Sequence, residues 1–332
     1  MVFASEKYYN LTPSDFLNRE RSAAVFLGGF LTDGKLSPLD GSAIDKNKQR
    51  AYLKAYSEHA ERALLNAYHK HQQVQALNVI TGDIETCPSS DFAYQDETGR
   101  RRNDTTGTSA GINAPQMIEK SVWELLEKNE LMLWWYARRG YKLPLTGSII
   151  QQAEQLGLQA EQLTIFVCQN LCNRPTVIVT LTNDKRLLSN GIALSDSFET
   201  SLQLALEEAK LLKLANDPAW PSAVLSQIDS DTHLATVRHI QSLWSTLDNY
   251  QIKETQANAN PFQTANFITD LRVKLINQGL GNKPATIKCI SNQLLNYLPK
   301  KRNLALDTNL SILIHHGITV SEIEKAPDCI LL

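Results

Sequence analysis

Cysteine is scarce in this chain: five in 332 residues, an odd number with no recurring spacing. That excludes a disulfide framework. Cys168 and Cys172 have no second cysteine pair near them to complete a zinc site, so both read as ordinary semi-buried thiols. No apolar run approaches the roughly eighteen residues that a membrane span needs. The start, Met1-Val2-Phe3-Ala4-Ser5-Glu6-Lys7-Tyr8-Tyr9, lacks the basic and then apolar stretch of a secretory signal, so the cytoplasm is the expected compartment. Excess charge of one sign is missing too. Lys and Arg number 33 against 35 Asp and Glu, and a formal net charge of -2 argues against a general nucleic-acid binder. The runs Arg101-Arg102, Arg138-Arg139 and Lys300-Lys301-Arg302 are short and scattered, and read as solvated or phosphate-facing. The glycines at Gly28-Gly29 lack the spacing of a dinucleotide or P-loop motif.

What is present describes a globular α/β protein. Hydrophobic residues make up 42% and charged residues 20%, and the length suits one large domain or two ordinary ones. Residues 23–30 read as a strand entering a glycine turn, 48–72 as a helix, and 74–80 as a strand. Residues 88–111 are rich in Ser, Asp, Arg, Asn, Thr and Gly, which predicts a long surface or active-site loop. Pro115 opens a helix that continues over 117–136 without Gly or Pro, and its apolar residues encircle enough of it to imply burial. Strands are expected at 164–168, 176–181 and 285–289, and helices at 198–214, 233–247 and 267–275. The polar stretch 249–264 is too weak a signal for a firm domain boundary, so one domain over 1–332 is expected, with a less typical subregion at 217–332.

Two acidic helix patterns stand out: Glu58 and Glu61 followed by Arg62, and Glu124 and Glu127 followed by Lys128. Carboxylates three residues apart share one face of a helix. Taken alone, Glu58 and Arg62 form an ordinary i,i+4 ion pair on an exposed helix. The second pair changes the balance, because Glu124 and Glu127 lie within an apolar surround, where carboxylates need a partner. If the two helices face each other, four carboxylates converge, and cations must share the cluster. Oxygen ligands suit Mg²⁺, which bridges nucleotide phosphates. His59, adjoining Glu58, points elsewhere on a regular helix. His315 and His316 have no carboxylate pattern beside them, and Trp134, Trp135 and Tyr136 read as core and rim packing. No serine or cysteine sits in a recognisable nucleophile context.

With these residues assembled, the chain resembles the YcaO-like family over roughly residues 20–215. The strongest match is Asp104-Thr105-Thr106-Gly107-Thr108-Ser109-Ala110-Gly111, followed by Glu124, Glu127 and the aromatic residues Trp134, Trp135 and Tyr136. Ser57-Glu58-His59-Ala60-Glu61-Arg62 is similar to the family's earlier Glu-x-x-Glu-Arg helix, and Leu204-Ala205-Leu206-Glu207-Glu208-Ala209 to a third characteristic helix.

The resemblance implies mixed sheets with surrounding helices that form an ATP–Mg²⁺ site, and ATP-dependent activation of a peptide backbone amide. Attack by a Cys, Ser or Thr side chain of a ribosomally made precursor peptide then gives an azoline, as in bacteriocin biosynthesis. An external sulfur source would instead give a thioamide. The third alternative is a catalytically degenerate scaffold subunit. Carried over, Glu58, Glu61, Glu124 and Glu127 are the expected metal ligands, with Arg62, Gln116 and Glu208 as further cofactor-binding candidates. Gln116 stands where the family usually has another metal-binding Glu, Asn113 is displaced by one from the Ala-Gly step, and Lys128 replaces an Arg. The chain ends Cys329-Ile330-Leu331-Leu332 without a proline-rich tail and shows no evident peptide-binding domain. The expected partners are therefore the precursor peptide, a separate peptide-binding protein and a dehydrogenase in the same complex, with self-association into a homo-oligomer left open.

Overall fold

The computed structural model describes residues 23–27, 31–32, 35–36, 41–66, 73–93, 104–216, 225–251, 262–277, 285–305 and 310–331. The first residues, Gly28-Gly29-Phe30, Arg101-Arg102 and the middle of the polar stretches after 88 and 249 lie outside them. In chain order the first elements are β1 (Ala23–Leu27), β2 (Leu31–Thr32), β3 (Lys35–Leu36), β4 (Gly41–Asp45), α1 (Lys48–Asn66), β5 (Gln73–Asn78), β6 (Ile84–Pro88) and β7 (Thr108–Gly111). Then come α2 (Ala114–Ala137), β8 (Tyr141–Lys142), α3 (Gly147–Gln155), β9 (Leu163–Cys168), β10 (Thr176–Thr182), β11 (Leu187–Leu194), α4 (Phe198–Ala215) and α5 (Ser230–Thr246). The last are β12 (Arg272–Asn277), β13 (Ala285–Ile290), α6 (Lys301–Leu304), α7 (Ser311–His315) and α8 (Val320–Lys325). The protein is a mixed α/β structure, and the named strands pair antiparallel throughout. Among the described residues no helix is long and apolar enough to cross a membrane.

Two compact units divide the chain: Met1–Leu125 with Thr269–Ser291, and Leu126–Ile268 with Asn292–Leu332. The residues after 217 are thus shared between units, and the first division falls inside α2.

In the first unit a five-stranded sheet runs in the order β6-β5-β12-β13-β7, and β1 pairs with β4. Asn47 starts α1 by accepting the backbone N–H groups of Gln49 and Arg50 at 2.9 and 3.2 Å, which satisfies donors a helix start leaves open. Ala51, Ala55 and His59, spaced by four, form the buried stripe of α1. Gly41 lets β4 approach that stripe closely, because a Cβ there would sit 2.3 Å from the Ala55 carbonyl oxygen. Leu65, Ala76, Cys87, Phe92, Ile276 and Ile290 form one core cluster.

Two sequence expectations are corrected here. Residues 267–275 do not form a helix, because Arg272–Asn277 is strand β12, between β5 and β13. Arg272, Val273, Lys274 and Leu275 alternate polar and apolar, and this period of two is the strand signal that decides the conformation. The 88–111 loop also ends earlier than expected. Its last residues, Thr108–Gly111, are β7, paired with β13 from Ala285↔Gly111 to Lys288↔Thr108.

In the second unit the sheet order is β11-β10-β9-β8, with α4 packed on β11 and β10. Ser197 caps α4 by accepting the Thr200 N–H at 3.2 Å. Gly191 admits that helix as Gly41 admits α1, since a Cβ at Gly191 would lie 2.0 Å from the Ala205 carbonyl oxygen. The aromatic end of α2 is core, as expected. Trp134 meets Phe166 at 4.8 Å between ring centroids and Trp135 meets His239 at 4.5 Å. The end of the chain is tied to the same helix. Trp135 Nε1 donates to the Pro327 carbonyl at 2.9 Å and the Cys329 N–H donates to the Tyr136 hydroxyl at 3.3 Å.

Candidate functional site

The first unit holds Glu58, Glu61, Arg62, Gln116 and Glu124. Glu58 is half-buried on α1. The Ser42 N–H donates to its Oε2 at 2.7 Å, and Arg62 donates to its Oε1 at 2.6 Å. The i,i+4 ion pair read from the sequence is therefore present. One turn further along α1, Glu61 Oε1 meets the hydroxyl of Thr108 at the start of β7. The Thr108 backbone N–H donates to Glu124 Oε2 at 2.9 Å. Thr108 thus joins a carboxylate of α1 to a carboxylate of α2.

Thr108 Oγ1 also lies against the Thr105 carbonyl. Burial raises the Glu61 carboxyl above its ordinary value, and the negative charge of Glu58 adds to the rise, while Thr108, Arg62 and Lys288 oppose it.

Below this cluster lies Lys288, which sequence reasoning missed. It sits in β13 directly opposite Thr108, is fully buried, and donates from Nζ to the Asp104 carbonyl at 2.5 Å. Burial pulls its amine down, opposed by the negative charges of Asp104, Glu124 and Glu61. Gln116 does not join the cluster. It is exposed in the first turn of α2, where its backbone N–H donates to Asn113 Oδ1 at 3.3 Å.

The second unit holds Glu127 and Glu208, and both meet strand β11. The Leu194 N–H donates to Glu127 Oε2 at 3.1 Å and the Ile192 N–H donates to Glu208 Oε2 at 2.5 Å. Residues 192 and 194 point their N–H groups to the same side of β11, an edge strand, so two carboxylates cover that edge. Lys128 pairs with Glu127 at 3.0 Å, and burial raises the Glu127 carboxyl. Glu207 accepts from the side chain of Gln203 at 2.8 Å.

The buried Glu130, also overlooked, accepts the N–H groups of Asn170 and Leu171, each at 2.6 Å, and Asn170 Nδ2 at 2.7 Å. It anchors the turn that carries Cys172. All five cysteines are free and buried, and burial pushes the Cys172 thiol up to about 12.

Among the described residues, no group of three or more His, Cys, Asp or Glu side chains is placed to hold a metal ion. Magnesium does not require one. It keeps several waters and is held by one or two carboxylates together with substrate phosphates. The donor set in each unit consists of hard carboxylate oxygens, held by backbone N–H groups at Glu58, Glu124, Glu127 and Glu208 and by the Thr108 hydroxyl at Glu61, and that chemistry fits Mg²⁺.

The architecture is a YcaO-like fold. The chain superposes on the structure of YcaO from Methanopyrus kandleri bound with AMPPCP and Mg²⁺ with a TM-score of 0.67, at 12% identity over 86% of each chain. A chain of the E. coli microcin synthetase McbBCD complex gives a TM-score of 0.72 at 15% identity over 98% of each. A heterocyclase in complex with substrate and cofactor gives 0.65 at 13% identity over 95% of this chain and 53% of that one. No protein-family model matches the sequence, and no curated protein matches it.

Proposed function

We propose that this chain is a divergent enzyme of the YcaO type, which uses Mg²⁺ and ATP to activate a peptide backbone amide and convert Cys, Ser or Thr of a ribosomally made precursor peptide to an azoline. The observation that carries the reading is the joining of Glu61 to Glu124 through Thr108, with Glu58 one turn away. These are the positions the family pattern reserves for metal and nucleotide, and they occur on a YcaO-like fold. AMPPCP and Mg²⁺ bound to the Methanopyrus kandleri protein, and substrate and cofactor bound to the heterocyclase, support it.

In the reaction the substrate's sulfur or oxygen adds to the amide carbon, and the amide oxygen takes the γ-phosphoryl group of ATP. Phosphate then departs with that oxygen, so the net change is loss of water coupled to release of ADP and phosphate. Bound Mg²⁺ supplies positive charge beside the phosphates. The protein needs no nucleophile of its own, only placement and charge. Glu58, Glu61 and Glu124 in the first unit, and Glu127 and Glu208 in the second, are the residues that would hold the ions. Arg62 holds Glu58 in position. A separate peptide-binding protein presents the precursor, and a dehydrogenase in the same complex would oxidise the azoline; the likeness to a chain of the McbBCD microcin synthetase complex supports action within an assembly.

The test is ATP turnover by Glu58→Gln and Glu124→Gln in the presence of the peptide and its binding protein. Loss of at least tenfold in both is expected. Turnover that needs neither carboxylate would sink the assignment. Product mass decides the chemistry: loss of water marks an azoline, exchange of oxygen for sulfur a thioamide.

A further inference from the structure

We propose that Lys288 is a built-in counter-cation for Glu61 and Glu124, so that this carboxylate pair is charge-compensated before any nucleotide arrives and takes Mg²⁺ only with the phosphates of ATP. The inference rests on the reading of Glu61 and Glu124 as nucleotide-site carboxylates and goes beyond it, by assigning a positioning role to a residue outside the acidic motifs.

Lys288 is fully buried in β13 and stands in register with Thr108 of β7. Thr108 is the residue that meets Glu61 with its hydroxyl and Glu124 with its N–H. The Lys288 ammonium is fixed at its far end by the Asp104 carbonyl at 2.5 Å, on the loop that leads into β7. A buried ammonium is costly without negative charge nearby, and buried carboxylates are costly without positive charge nearby. The negative charges of Asp104, Glu124 and Glu61 all act on the Lys288 ammonium, and its positive charge acts back on them. The same contact ties Asp104, the first residue of the family-like loop, to the sheet. Gly107 completes the turn with φ of 77°, where a Cβ would meet the Cys289 carbonyl oxygen at 2.4 Å. The loop therefore closes directly against β13.

The experiment is thermal melting of the nucleotide-free full-length chain in EDTA and in Mg²⁺, for wild type, Lys288→Arg, Lys288→Met and Lys288→Met combined with Glu61→Gln. Wild type and Lys288→Arg are expected to melt at the same temperature with and without Mg²⁺. Lys288→Met is expected to melt several degrees lower in EDTA and to recover with Mg²⁺, and the double variant to regain stability without it. A Lys288→Met melt that ignores Mg²⁺ overturns the proposal. If Lys288→Met is insoluble, the double variant decides. A cooperative melt supports compensation of charge, and failure of both to fold contradicts it, since packing is then what the lysine supplies. ATP is absent throughout, so the result stands apart from the test of nucleotide use.

Discussion

Thr108 donates its backbone N–H to Glu124 at 2.9 Å, so the first residue of an edge strand fixes a carboxylate in the middle of a helix. Its hydroxyl meets Glu61 as well. Thr108→Val keeps the N–H and the β-branched shape but removes the hydroxyl. The variant is expected to lose about 1–2 kcal/mol of stability, as for a half-buried polar partner left unmatched, and to bind ATP more weakly. Urea unfolding and nucleotide titration of the same sample check both.

In each unit a carboxylate on a helix accepts the N–H of a strand residue sixteen positions earlier: Glu58 from Ser42, and Glu208 from Ile192. The residue before each donor is a glycine pressed against its helix. Gly41→Ala and Gly191→Ala would each place a Cβ within 2.3 Å of a helix carbonyl oxygen. Backbone on both sides leaves little room to yield, so each is expected to cost about 1–3 kcal/mol. Denaturant midpoints measure this, and an unchanged midpoint would refute the close-approach account.

Glu208 and Glu207 are adjacent in sequence; Glu208 accepts the Ile192 N–H of β11, and Glu207 accepts from the Gln203 side chain. Glu208→Gln is therefore expected to lower ATP affinity at least tenfold, and Glu207→Gln to leave it within a factor of two. The reverse order would make Glu207 the nucleotide-site residue of α4.

Glu130 offers a pH signature. Burial pushes its carboxyl up to about 7 from an ordinary 4.5, against the N–H donors of Asn170 and Leu171. Between those values the folded chain keeps a proton that the unfolded chain has released. The stability this group contributes is whole below pH 4.5 and is lost as pH rises to about 7. Glu130→Gln stays neutral at every pH, so its stability should fall less steeply across that window. It should also start about 1–3 kcal/mol lower, because the new amide NH₂ faces Asn170 Nδ2. Urea midpoints across the window, compared with wild type, report the difference in slope.

The helices were legible because their signals are local. The apolar stretch from Val122 to Trp134 has no breaker, and Ser197 and Asn47 are cap residues in front of apolar stripes. The acidic pairs were legible as chemistry, since Glu124 and Glu127 stand in an apolar surround. Their partners were not. Thr108 and Lys288 meet only when β7 and β13 pair, and that pairing joins segments far apart in sequence. A lysine in the strand Ala285-Thr286-Ile287-Lys288-Cys289 reads as a solvent-facing position, yet in the fold it is fully buried. The helix expected over 267–275 gives way to β12, because the period-two alternation that decides the conformation begins at Arg272. Gln116 matched by counting but lies exposed in the first turn of α2.

The most direct test of the central claim is calorimetric titration of ATP into the purified chain, with Mg²⁺ present and then chelated. The account predicts saturable binding that requires Mg²⁺ and is lost in Glu124→Gln. Binding that persists without the metal, or no binding in its presence, would contradict it.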